Sequence, residues 1–94
     1  MKAKTKSRKN HLPKMPWSVV ADDLKRRGNW SLVNTTPKIK IFQRRNERLV
    51  AVKLGRNKWK AEYFQSGRLM DTSGAWNEEF VKKMIYEMGV YRSY

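Results

Sequence analysis

Nine lysine and arginine residues fall between positions 38 and 60: Lys38, Lys40, Arg44, Arg45, Arg48, Lys53, Arg56, Lys58 and Lys60, against one acid, Glu47. Ammonium and guanidinium groups at this density suit one kind of chemistry. They neutralise phosphate oxygens and release the counterions condensed on a polyanion. The chain carries a net charge of +14 over 94 residues. Residues 1–14 account for +6 of it and residues 38–60 for +8, while the remaining bases and acids cancel. Charge added for solubility would be scattered. Charge confined to a tail and one block points to a polyanion facing that block.

Other chemistries find little support. His11 is the only histidine and lies in the basic tail, where nothing would hold it as a general base or gather it into a metal cluster. Asp22/Asp23 and Glu78/Glu79 are adjacent pairs. Neighbours on a helix diverge by about 100°, so neither pair makes a two-carboxylate site. The absence of cysteine excludes disulfides and thiolate metal ligands. Gly55-Arg56-Asn57-Lys58 reads as a hairpin turn, not as a phosphate-cradling glycine loop. No serine or threonine has an identifiable base beside it. The expectation is a non-enzymatic protein with no cofactor, no metal and no small-molecule substrate.

The composition is 39% hydrophobic and 12% aromatic, too apolar for a wholly disordered chain despite the charge. The length suits one domain whose four Trp and three Phe supply much of the core volume. The longest apolar run, Leu49-Val50-Ala51-Val52, is far short of a membrane span, and no apolar stretch follows the basic start as a secretory signal would require. The expected setting is intracellular and reducing, in cytoplasm or nucleus.

The elements must position the cations. Residues 1–14 lack periodicity and read as a disordered basic arm, ahead of a single α+β domain over 15–94. Trp17, Val20, Ala21 and Leu24 form a helical stripe, predicting a helix from about 17 to 27 with Gly28 as its stop. Short period-two runs follow over 29–34, 38–44, 48–54 and 58–64, with a short edge strand at 68–71. Arg45-Asn46, Arg56-Asn57 and Ser66-Gly67 supply the turns of an antiparallel meander. Trp76, Phe80, Met84 and Met88, with Val81 and Ile85 beside them, predict a closing helix over about 75–88, capped by Thr72, Ser73 or Asn77. The fold class is therefore α+β, order α-β-β-β(β)-α. One antiparallel sheet of three to five strands would carry two helices on one face and leave the other face open.

Alternation then assigns the charges to a side. With Ile39, Ile41, Val50, Val52, Leu54, Trp59, Ala61 and Tyr63 pointing inward, Lys38, Lys40, Phe42, Arg44, Lys53, Lys58 and Lys60 share the open face with Leu49, Ala51, Glu62 and Phe64. Arg45, Arg48 and Arg56 fall at its edges and hairpin tips. The lysines and Arg44 would neutralise phosphates. Arg45 and Arg56 would reach base edges, and Phe42 or Phe64 would stack on a base or wedge into a groove. Trp17, Trp30 and Trp76 lie on apolar stripes and are expected in the core, whereas Trp59 changes sides if its strand slips by one residue.

The helix order over residues 16–89 resembles that of double-stranded-RNA-binding domains and of small messenger-RNA-cleaving toxins. The first group opens its last helix with a lysine-rich cluster, where this chain has Trp76-Asn77-Glu78-Glu79; the second uses a strand histidine, which no strand here supplies. No functional residue carries over from either. The expected function is nucleic-acid binding by the basic face and arm, with duplex DNA ahead of RNA. The alternative is an adaptor or inhibitor whose basic face docks an acidic surface of a protein partner, such as a polymerase or nuclease. No membrane partner is expected.

Overall fold

The computed structural model describes residues 15–92; the expected basic arm, residues 1–14, lies outside them. Helix α1 (Trp17–Gly28) leads into five strands, β1 (Ser31–Thr35), β2 (Ile39–Arg44), β3 (Glu47–Gly55), β4 (Lys58–Gln65) and β5 (Arg68–Trp76). Helix α2 (Glu78–Tyr86) follows and runs into a π-helical turn, Glu87–Tyr91. The strands form one antiparallel sheet in sequence order. The fold is α+β, with both helices packed on the same sheet face.

Local chemistry explains the boundaries. In α1, Val20 and Leu24 are one turn apart and both buried, and Lys25, Arg26 and Arg27 complement the helix C-terminus. The left-handed stop is Asn29 (φ 61°), not Gly28 as the sequence suggested. Gly28 is instead required by close packing: a Cβ there would lie 2.8 Å from Trp30 Cδ1 and 3.2 Å from Arg44 Nη1. Asn77 caps α2, its Oδ1 accepting from the Phe80 amide at 2.8 Å, with Glu78 and Glu79 in the first turn. This helix starts later than its apolar stripe implies because β5 continues to Trp76. Gly74 (φ 75°) lets that strand bulge, and the Ser73 hydroxyl accepts the Ala61 amide at 2.9 Å where the ladder is interrupted. Trp76 therefore ends a strand, half-exposed and stacked on Phe80 (4.7 Å), rather than entering the core.

The three hairpin tips fall where expected. Ser66 and Gly67 both have positive φ, as a type I′ turn requires. The phase of two strands does not. The covered face is built from rungs Phe42–Leu49–Tyr63 and Lys40–Ala51–Ala61, followed by Lys53–Trp59. Ile39–Val52–Lys60, Ile41–Val50–Glu62 and Gln43–Arg48–Phe64 line the open face. The sequence expectation for β4 holds, but β2 and β3 are turned over. The aromatic pair Trp59 and Tyr63 goes under the helices and carries Leu49 and Phe42 with it through the register. Ala51 and Ala61 between them leave room for Val81, Ile85 and Met88 to approach. The β-branched Ile39, Ile41, Val50 and Val52, stable on a half-covered pleat, form a strip on the other side.

Two clasps hold the helices. Trp30 Nε1 donates to the Gly89 carbonyl at 3.0 Å, joining the end of α1 to the π-helical turn. At the other end, the Trp17 indole donates to Glu78 (2.7 Å), and the buried Lys82 ammonium donates to the Met15 carbonyl and contacts Glu78 and Glu79. Tyr86 donates to Asp23 at 2.8 Å. Burial first, then that carboxylate, pushes the Tyr86 hydroxyl up to about 12, and the same hydrogen bond holds Asp23 below its usual range.

Candidate nucleic-acid interface

The cations of residues 38–60 do not share a plane; the structure distributes them over two faces and two ends of the sheet. Phe42 is 1% exposed and belongs to the core, so it cannot meet a base. Arg44 lies on the same covered side. Its Nε donates to Glu47 at 2.6 Å, its Nη1 donates to the Gly28 carbonyl at 2.6 Å, and its guanidinium stacks 4.3 Å from the Trp30 ring centroid. Nε and Nη1 thus serve the fold, tying α1 to the β2–β3 hairpin on the covered side and not on the expected open face. Lys40, expected on the open face, also has covered-side phase; its ammonium donates to Thr35 Oγ1 (2.9 Å) and the Thr36 carbonyl (2.5 Å), closing the β1–β2 connection. Lys60 is on the open face as expected, but its ammonium is held 3.3 Å from Glu62. Arg45 is exposed at the β2–β3 tip, with φ 54°.

Five cations remain: Arg48 on the open face, and four whose backbones lie at one end of the sheet. There Lys38 and Lys53 take covered-side phase, contrary to expectation, because β2 and β3 are turned over, while Lys58 keeps open-side phase. Lys38 precedes β2, Lys53 lies near the end of β3, and Arg56 and Lys58 form the β3–β4 tip and the start of β4. All four are exposed. The Lys53 amide donates to the Lys38 carbonyl at 2.7 Å, and Gly55 pairs with Lys58, so three neighbouring strand ends are in register. None of the four enters an ion pair among the described residues. The result is a basic rim at one end of the sheet in place of a basic face.

The opposite end is tied by carboxylate chemistry. Glu47 receives Arg44 on one oxygen and the Tyr63 hydroxyl on the other at 3.0 Å. Burial pushes its carboxyl up, but the Arg44 and Tyr63 hydrogen bonds outweigh that and hold it below the usual glutamate range. There the β2–β3 and β4–β5 tips are fastened together. Asn46 Nδ2 donates to Ser66 Oγ at 2.7 Å, and the Ser66 amide donates to the Asn46 carbonyl at 2.8 Å.

Between this tie and the rim, the open face carries a groove of about 630 Å³. Ile41 and Val50 form its floor, and Phe64, Gln43, Arg48 and Glu62 surround them. Arg48 donates to Gln43 Oε1 at 2.8 Å. Gln43 escaped the sequence reading, and Arg48 was expected at an edge or hairpin tip, because a turned-over β2 and β3 hid their place in the groove; Phe64 and Glu62, on the correctly phased β4, were legible there. Among the described residues no group of three His, Asp or Glu is placed to hold a metal ion, and no helix is long and apolar enough to cross a membrane. The chain matches no known protein family, and no characterised protein or solved structure is detectably similar to it.

Proposed function

We propose that this protein binds the phosphate backbone of nucleic acid through the basic rim of its sheet, without catalysing a reaction on it. The observation that carries the reading is that Lys38, Lys53, Arg56 and Lys58 fall at one end of the sheet, all exposed and none ion-paired among the described residues. Elsewhere the chain sets acids against its bases: Arg44 on Glu47, Lys60 on Glu62, Lys82 on Glu78 and Glu79. Like charges left together repel, and phosphate oxygens relieve that repulsion while counterions are released from the polyanion. The six cations of residues 1–14 would add to the same attraction. The lead expected for duplex DNA rested on a cationic sheet surface and a basic arm that engage duplex grooves; a rim by itself reads charge and favours neither DNA nor RNA.

Titration of labelled duplex DNA, duplex RNA and single strand at low and physiological salt tests this. Four rim contacts predict affinity for B-form DNA falling with salt at a log–log slope of about −4, near 0.9 per phosphate neutralised. A Lys53→Glu/Lys58→Glu variant should bind more weakly and lower that slope by about 2. If no nucleic acid binds more tightly than about micromolar at low salt, the reading fails. A protein partner then becomes the better account, supported by the half-buried strip Ile39, Ile41, Val50 and Val52 and by Leu54 and Leu69, 50% and 53% exposed.

A further inference from the structure

We propose that the groove on the open sheet face receives an unpaired nucleobase, so that the protein holds a single strand with phosphates on the rim and a base against Phe64. The proposal rests on reading the rim as a phosphate site and names the form of nucleic acid that the adjoining surface selects.

A nucleobase is flat and apolar on its faces and polar around its edge. The groove supplies a match for both. Ile41 and Val50 give an apolar floor, and Phe64, half-buried, adds the aromatic surface on which any base can stack. Around them stand an amide, a guanidinium and a carboxylate, from Gln43, Arg48 and Glu62. The Arg48–Gln43 hydrogen bond uses the amide oxygen and leaves the Gln43 NH₂ directed to no partner among the described residues. An apolar side chain from a protein partner would cover these donors without satisfying them, which is unfavourable. A base edge pairs with them.

Charge and spacing connect the groove to the rim. Arg48, Lys58 and Lys60 stand on the open face, where Glu62 is paired with Lys60, and the other acid lining the groove, Glu47, is engaged by Arg44 and Tyr63. Along β4, Lys60 lies four residues from Phe64 and Lys58 six, roughly 13 and 20 Å at strand rise. One extended strand therefore crosses from groove to rim with phosphates over cations. The doubly bonded Asn46–Ser66 tie closes the far end of the groove before any ligand arrives. In a duplex the bases are stacked inside and paired, so a duplex reaches the rim but not the groove.

The full-length protein is titrated by fluorescence anisotropy with a labelled single strand of about 12 nucleotides and with the duplex of the same sequence. Phe64→Ala should weaken the single strand roughly 5- to 160-fold, the range of one lost base stack, and leave the duplex unchanged. Phe64→Leu, which keeps apolar volume but no aromatic face, should act in the same direction; it provides the readout if circular dichroism shows the alanine variant unfolded. Lys53→Glu/Lys58→Glu should weaken both ligands. Parental single-strand affinity in the Phe64 variants, or equal losses on both ligands, overturns the groove while the rim variant still supports the rim. Failure of the parent protein to bind either ligand overturns both.

Discussion

Phe42 and Arg44 lie two residues apart on β2, and both work inward: one fills the core, the other ties α1 to the β2–β3 hairpin. Each was a reasonable partner for nucleic acid by residue type. What reassigns them is a neighbour far away in sequence, Leu49 and Tyr63 for Phe42, and Gly28 and Trp30 for Arg44. Glu47 completes that second group and makes it sensitive to acid. Its carboxyl is held below its usual value of 4.5 in the folded state, so the stability it contributes is fully present above about pH 4.5 and is lost as pH falls through the folded value. Glu47→Gln is expected to lower stability by about 1–2 kcal/mol at neutral pH, with the gap to the parent closing below pH 4.5. Urea melts across that range measure it; a gap independent of pH would show that the ionised carboxylate is not what holds Arg44 and Tyr63.

At the scale of elements, the decisive fact is the phase of β3. Leu49, Val50, Ala51 and Val52 are all apolar, so either alternate pair suits a core. The structure buries Leu49 and Ala51 and leaves Val50 and Val52 half-covered. Adjacent substitutions separate the two. Val50→Lys places its ammonium on the open face and should change stability by less than about 1 kcal/mol. Ala51→Lys forces an unpaired charge under α2 and should cost more than about 4 kcal/mol, or prevent folding. Equal effects in thermal melts would refute the assigned phase. The first four strands to within about two residues, the three turns and the presence of both helices were legible in residue patterns because turn chemistry and helical stripes act over a few residues. The extra length of β5 was not, since it depends on Ser73 accepting a bond from Ala61 across the sheet.

For the whole molecule, electrostatics and stability pull in opposite directions at the rim. Lys38, Lys53, Arg56 and Lys58 repel one another with no carboxylate ion-paired to them among the described residues. Added sodium chloride should therefore raise the melting temperature, because screening weakens like-charge repulsion over about 10 Å at 0.1 M. Lys58→Glu should raise it too at low salt, by a few degrees for a gain of about 0.2–1 kcal/mol, while weakening nucleic-acid binding. A variant that loses stability together with binding would mean that Lys58 supports the fold, and the rim would lose one of its four contacts.

Local order settled much before any packing was considered. Charge totals, their segregation, the hairpin tips and the helical stripes are properties of residues near one another in the chain, and they determine that this is a basic α+β protein with a meander sheet. Which side of that meander faces the helices was left to tertiary contact. β3 is apolar in both phases, and β2 sets Ile39 and Ile41 on one side against Phe42 on the other, so local pattern leaves the covered face undecided until a third element breaks the tie. Trp59 and Tyr63 do so because their volume fits only beneath the helices, and antiparallel registry passes their choice across the sheet, strand by strand, to Phe42 and to each cation beside it.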